Sequence, residues 1–578
     1  VRVHGTSAED FDAAREAFVS SYLRAHPEEA STLGLRAYDA RLSSLEEEAL
    51  ADEAAAARAF LRATSALEPE GLSVDDRLEL RALTRHARFR ARWLEELEGP
   101  LRSLEPAFHT HAMLAHHATR SHDGASWEAL ADRLAAVPSH LAAHAARLEE
   151  GVARGFVPDA ALTTWVVEGS LPAAADWLLR VASLAPVEGA HGPLRDRVAA
   201  LAAEAARGAR AHGAFLRSTL LPRARDAFAL GPDEVRRRLD EQLDLRADPE
   251  DLVREAEERL RDAQSELVRA ADRSARARGG HAADLASAAR VVVDLFGRGL
   301  RDASEIIPLY QGLTDRALAF VRERKLFRVP DDLDLEVIPL PAGVAHGTAA
   351  TNWPAPLVDP TGRARVAVAL SPSMHSRPAA ANLAVHEGVP GHSLQSVLFQ
   401  RGASVGRGEA RVARFLCVVD DEAFAQGYFA PMLNVEGFAV WAEELMLGEG
   451  YLDVDETVCA LGSRAIRAAR VVVDLSLHAR GWSRGEASAF LERETGMPRA
   501  WCEAQTLRYT RIPLQASTYD LGRIEIERAA RAERSRLGGA FDLAAFHDRL
   551  LAHGPLPPRE IAEAIAEAAS RPSAPERD

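Results

Sequence analysis

His386 and Glu387 are adjacent in Leu383-Ala-Val-His-Glu-Gly-Val-Pro-Gly-His-Ser-Leu-Gln395, and His392 follows after a Gly-Val-Pro-Gly spacer. Two imidazoles and a carboxylate this close are the donor set of a zinc hydrolase, in which the imidazoles hold the ion and the Glu works on water. The spacing is unusual. In the H-E-x-x-H signature the two histidines lie four apart, about 40° from one another around the helix axis. Six apart puts His386 and His392 roughly 120° from one another, so an unbroken helix cannot aim both at one ion. The spacer supplies the remedy. Pro390 lacks an N–H and clashes with the carbonyl one turn back, while Gly388 and Gly391 accept backbone angles other residues resist. The expectation is a helical run ending at His386, an unwound turn, and His392 swung back beside it.

A catalytic zinc takes three protein ligands and keeps one position open. Glu436 and Glu443, two helical turns apart in Glu436-Gly-Phe-Ala-Val-Trp-Ala-Glu443, share a face, and either is a candidate for the third place. Glu387, beside a ligand and not needed as one, is the natural general base, taking a proton from water and passing it to a leaving amine. A denser histidine tract, His109, His111, His116, His117 and His122, has no i, i+4 pair and no interleaved carboxylate. Helix-face or channel histidines suit it better than a metal site.

His-Glu-x-x-Pro-Gly-His followed by Gln395 resembles the hallmark of the bacterial family catalogued as domain of unknown function 885, which is grouped with zinc metallopeptidases of the H-E-x-x-H type. Glu436–Glu443 is similar to that family's E-G-W-A-x-Y-x-E segment. Arg470-Val-Val-Val-Asp474-Leu-Ser-Leu-His478 resembles R-x-x-x-D-T-G-x-H. Arg508-Tyr509 and Pro513-Leu-Gln515-Ala-Ser-Thr-Tyr519-Asp-Leu-Gly522 resemble R-Y and P-G-Q-A-x-x-Y-x-x-G. The N-terminal half is similar only in its helical character and an early His26-Pro27.

The resemblance implies one zinc per chain held by His386, His392 and Glu436, with Glu443 and Asp474 supporting that shell. It implies an oxyanion donor at Tyr519 or His478, with Tyr509 in reserve, and substrate contacts from Arg508, Tyr509 and Gln515. Arg508 is the first candidate for a peptide carboxylate, because a guanidinium fork matches two oxygens. The implied activity is hydrolysis of short peptides. The implied fold is mostly α, with two helical lobes flanking a deep channel. The chain also departs from the pattern: Phe438 and Trp441 stand where Trp and Tyr are usual, Leu475-Ser476 replaces Thr-Gly, Leu514 replaces Gly, and Gln505 falls where Glu is expected. None of these touches a proposed ligand or the base; they bear on substrate preference. Two other functions fit the residues, a non-catalytic peptide-binding or scaffold protein with a degenerate site, and a zinc hydrolase of a non-peptide amide or ester. The first is disfavoured because all four core residues are intact.

The elements that must position these groups are mostly helical. Runs at 44–66, 74–98, 193–219 and 249–277 place Leu, Ala and Val at three- and four-residue intervals among Arg and Glu, and Ser7, Ser73 and Ser126 open capping patterns. Residues 1–325 therefore form a helical region, and 326–569 a catalytic region integrated with it. The best strands are 334–340 and 364–370, forming a small mixed sheet around a long loop at 341–363. By analogy with zinc peptidases, 364–370 is the edge that pairs with a substrate backbone. The tail 570–578 reads as disordered.

With 578 residues, 47% of them hydrophobic, the chain can bury a substantial core. A net charge of -16, with Lys325 the sole lysine, gives no reason to expect nucleic acid or an anionic membrane as partner. Cys417, Cys459 and Cys502 are too scattered for a disulfide framework and read as buried apolar residues. No run spans a membrane and, with Val1 taken as the true start, no signal peptide opens the chain, so the expected location is cytoplasmic.

Overall fold

The computed structural model describes residues 7–120, 123–184, 192–340, 349–359, 363–403, 408–416 and 432–570. Of the features expected from the sequence, His122, Cys417, parts of the loop at 341–363 and the end of the tail lie outside these residues. Helices run Glu47–Thr64, Val74–Glu95, Gly192–Phe215 and Pro249–Arg276, close to the periodic stretches that announce them. Ser73 caps its helix as expected, accepting from the Asp76 N–H. The helix expected to open at Ser126 starts earlier, at Gly124, because the Asp123 carboxylate reaches the Ser126 N–H at 2.8 Å and takes over the cap.

The sheet has three strands, β1 (Leu335–Pro339), β2 (Ala350–Trp353) and β3 (Ala364–Val368), in the order β1-β3-β2. β1 runs parallel to β3 with Leu335 opposite Ala364, and β2 antiparallel with Ala350 opposite Val368. This corrects two expectations. The stretch expected as a loop contains β2, a strand of only four residues interrupted by Asn352, too short and polar for its pattern to register. And β3 is the central strand, paired on both sides, so it cannot add a substrate backbone.

Behind the sheet lies α1 (Arg377–Glu387), whose Ala380, Ala381 and Ala384 pack with Val366 and Val368. Small side chains let this helix sit close to the strands. The chain continues through α2 (His392–Ala403), α3 (Met432–Gly448), α4 (Val454–Ala479), α5 (Arg499–Arg511) and α6 (Gln515–Leu537). The largest apolar cluster joins both ends of the chain, with Phe11, Phe18 and Leu83 packed among Val385, Phe438, Leu475 and Ile561. Val385, next to His386, is therefore anchored in the main core. Among the described residues no helix is long and apolar enough to cross a membrane. Cys459 and Cys502 are buried free thiols.

The crossing of α3 and α6 depends on two glycines. A Cβ on Gly522 would lie 1.8 Å from the Leu433 carbonyl oxygen, and one on Gly437 would lie 2.5 Å from the Gly522 Cα. The two backbones touch. Gly522→Ala is therefore expected to lower stability by about 3 kcal/mol, the upper end of typical overpacking costs. Thermal melts check this, and a variant that melts with the wild type would mean the helices separate freely.

Candidate metal centre

α1 ends at Glu387, and the chain reverses over Gly388–Gly391 before α2 begins at His392. The Gly391 N–H donates to the Val385 carbonyl at 3.0 Å, closing the turn. A Cβ on Gly391 would lie 2.0 Å from the His386 carbonyl oxygen, so only glycine allows the backbone to fold back this tightly. The result is the arrangement expected from the spacer: the His386 and His392 rings lie 4.7 Å apart, centroid to centroid, with planes at 82°.

Glu436 comes from α3 to meet both rings. Its Oε2 lies 3.3 Å from His386 Nε2 and 3.4 Å from His392 Nε2, and the three atoms all fall within 4.8 Å of one another. Despite these short approaches Oε2 has no aligned hydrogen-bond donor and is buried. Ligands bound at about 2.0–2.1 Å around a tetrahedral zinc lie about 3.3–3.4 Å apart, which matches these separations. Two imidazoles and a carboxylate whose orphaned oxygen lies between them fit a zinc-type ion. Among the described residues this is the one group of three or more potential ligands gathered this way. Burial opposes the charge on Glu436, but the two imidazoles overcome it and hold the carboxyl well below its usual range. Burial likewise opposes a charged His386, yet Glu436 and Glu443 lift its pKa to about 10. A proton and a metal ion compete for such nitrogens.

Glu443, two turns along α3, serves the other side of the same ring. His386 Nδ1 lies 2.6 Å from its Oε1, and Arg467 on α4 grips both oxygens at 2.6 Å. Asn382, one turn before His386, donates to Oε2 as well. This network fixes the imidazole so that Nε2 faces Glu436. His392 has a lighter support, its Nδ1 3.3 Å from Gln395 Oε1. Glu387 is held through its backbone: its carbonyl accepts from Asn352 Nδ2 at 3.1 Å and Ser393 Oγ at 2.7 Å. Burial pushes the Glu387 carboxyl up, against the pull of His386, His392 and a hydrogen bond from the Asn352 backbone.

α6, brought in by the glycine crossing, adds Gln515 and Tyr519. Gln515 Nε2 approaches Glu436 Oε1 at 3.5 Å and Tyr519 Oη at 3.4 Å. The Tyr519 ring stacks on His386, centroids 6.0 Å apart and planes at 15°. Arg508 on α5 reaches Gln515 Oε1 at 2.8 Å and Tyr519 Oη at 3.4 Å.

Residues 27–565 match the model of a family described as bacterial protein of unknown function (DUF885). The chain belongs to this family. Two solved structures share the fold of this DUF885 protein, each described as a "putative lipoprotein". One, from Shewanella oneidensis and of unknown function, is 17% identical with a TM-score of 0.72, covering 96% of this chain and 99% of its own. The other, from Colwellia psychrerythraea, is 16% identical with a TM-score of 0.78, covering 98% and 99%. No curated protein matches the chain.

The remaining DUF885 segments fall partly outside the centre. Asp474, expected to support the ligands, is fully buried and instead holds the start of α6. It accepts from the Leu514 and Ser517 N–H groups at 3.0 Å and from Ser517 Oγ at 2.8 Å. Leu514 there adopts φ 70°, the left-handed conformation that glycine would take without strain. His478, expected as an oxyanion donor, is corrected too. It is fully buried, with Nε2 3.1 Å from the Tyr509 carbonyl and 3.8 Å from Asp474, and burial lowers its pKa to about 4. Its ring ties α4 to α5 and does not reach the ligands. Tyr509 is also buried, its hydroxyl bonded to Arg470 Nε and Gln505 Oε1. The histidine tract on Pro106–Arg120 is internal: His111 Nδ1 is 3.0 Å from the Phe108 carbonyl, His117 Nδ1 is 3.0 Å from Arg133 Nη1, and His116 packs edge-on against Trp353.

Four supports of the centre escaped the sequence: Asn382, Arg467, Asn352 and Ser393. Asn382 stands four before His386, on the same helical face, and was open to detection. Ser393 directly follows His392, but its role shows only once the turn folds it back onto the Glu387 carbonyl, while Arg467 comes from a segment remote in sequence and Asn352 is a polar residue inside a short strand.

Proposed function

We propose that this protein is a zinc-dependent hydrolase of peptide bonds in short peptides. The observation that carries the reading is Glu436 Oε2 set between two histidine Nε2 atoms, with Glu387 adjoining one of them in the chain. When bound, zinc supplies Lewis acidity to a carbonyl and to water. Glu387 takes the proton from the attacking water and delivers it to the leaving amine. Its burial suits that task, since a raised carboxyl pKa keeps the proton available for transfer. Tyr519, whose hydroxyl oxygen accepts from Gln515 and Arg508, serves as donor to the oxygen that gains charge. Arg508 stands beside it to meet a substrate carboxylate. β2, as an edge strand, replaces β3 as the element along which an extended backbone pairs.

Cellular location is secondary to this chemistry. The cytoplasmic placement expected from the sequence stands against the lipoprotein description of the two fold relatives. Elemental analysis of the purified protein and digestion of a mixed peptide library, read by mass spectrometry, test the proposal together. About one zinc per chain and defined cleavages are expected; a zinc-loaded protein that cuts no peptide would remove the peptidase reading and favour an ester or non-peptide amide.

A further inference from the structure

Arg470 stands three residues after Arg467 on α4 and is partly buried. The two arginines differ in their partners. Arg467 gives both arms to Glu443, a charge for a charge. Arg470 donates from Nε to Tyr509 Oη at 3.0 Å and from Nη2 to Gln505 Oε1 at 3.3 Å, and its Cζ lies 4.8 Å from the Tyr519 ring centroid. All three partners are neutral. Gln505 Oε1 also accepts from Tyr509 Oη at 3.2 Å, so one amide oxygen serves two donors. Asp474, the acid one turn further along α4, gives its oxygens to the start of α6, and burial pushes its carboxyl up to about 7. Among the described residues Arg470 has no carboxylate in ion-pair range.

A guanidinium taken partly out of water without a counter-charge is costly, and neutral acceptors and an aromatic face compensate only in part. That cost is recovered when an anion arrives. Tyr519 connects this cation to the metal centre, since the same ring stacks on His386. Arg470 is thus two ring contacts from a ligand. An extended peptide advances about 3.3–3.6 Å per residue, which places a group read by Arg470 within roughly two or three residues of the bond being cut.

We propose that Arg470 selects substrates carrying a carboxylate near the scissile bond, and that Gln505, an amide in place of an acid, leaves its charge available for that carboxylate. The inference rests on the peptidase reading and adds the substrate class. The carboxylate is either a free C-terminus or an acidic side chain.

The test uses the zinc-loaded full chain and matched peptides it cleaves. One pair differs as free acid against C-terminal amide, and a second as Glu against Ala beside the cleaved bond. The carboxylate-bearing member of at least one pair should have a kcat/KM about tenfold higher or more; the pair that responds identifies the source. Gln505→Glu places an anion against the guanidinium at almost unchanged volume, and should bring that ratio towards one. Arg470→Met should do the same. A ratio near one in the wild type overturns the inference while the peptidase reading stands, as does a ratio unchanged by Gln505→Glu at equal zinc content. A zinc-loaded protein that cuts no peptide overturns both.

Discussion

Glu387→Gln should keep about one zinc per chain and lose about a hundredfold to ten-thousandfold in turnover, the range spanned by positioned general bases. The substitution separates the two roles a carboxylate beside a metal ligand can have. Glu387 is not among the three gathered ligand atoms, so zinc content has no reason to fall. The local backbone does not depend on the side chain either, because Asn352 Nδ2 and Ser393 Oγ hold the carbonyl of residue 387. Gln has the same shape and retains an oxygen for the Asn352 backbone. What it lacks is a site that takes up a proton. Steady-state kinetics beside elemental analysis make the measurement. Wild-type turnover in a zinc-loaded Glu387→Gln protein would refute the proposed base; a protein that loses zinc as well would make Glu387 part of the metal shell.

The sequence revealed those parts of the protein whose physics is local. Helices such as Pro249–Arg276 follow from apolar spacing, and the His386–His392 turn follows from two glycines and a proline. β2 was hidden because four residues with a central Asn carry too little alternation. Glu436 and Glu443 show where spacing reaches its limit. Both lie on one face of α3, yet one faces the Nε2 atoms and the other Nδ1, a distinction set by how α3 packs against α1. Asp474 and His478 sit in a matching segment, but α4 is covered on nearly all sides, so membership of that segment says nothing about direction. Their side chains serve the α5–α6 turn, which positions Arg508, Gln515 and Tyr519. Arg467 lies just before the same segment and, through Glu443, makes the stronger link to the candidate metal centre.

His392→Ala is expected to abolish zinc retention, with affinity falling by more than about a hundredfold. Removing a residue that merely orients a ligand typically costs 10–100-fold, so removing the ligand itself exceeds that range. The site has little in reserve. Without His392, only His386 Nε2 and Glu436 Oε2 of the three atoms remain. The buried Glu436 carboxylate, kept ionised by two imidazoles, then depends on one. Folding should tolerate the change, because His392 opens α2 at the edge of the core and its side chain is 11% exposed. The α2 backbone is tied separately, through the Gln395 N–H to the Gly391 carbonyl at 3.0 Å. Gln395→Ala gives the graded comparison: it removes only the support of Nδ1 and should weaken zinc binding by about 10–100-fold. Competition titrations against a chelator measure both, with circular dichroism confirming that the helices persist. A His392→Ala protein that binds zinc as tightly as the wild type would rule out His386, His392 and Glu436 as the metal centre, and with it every step assigned to Glu387.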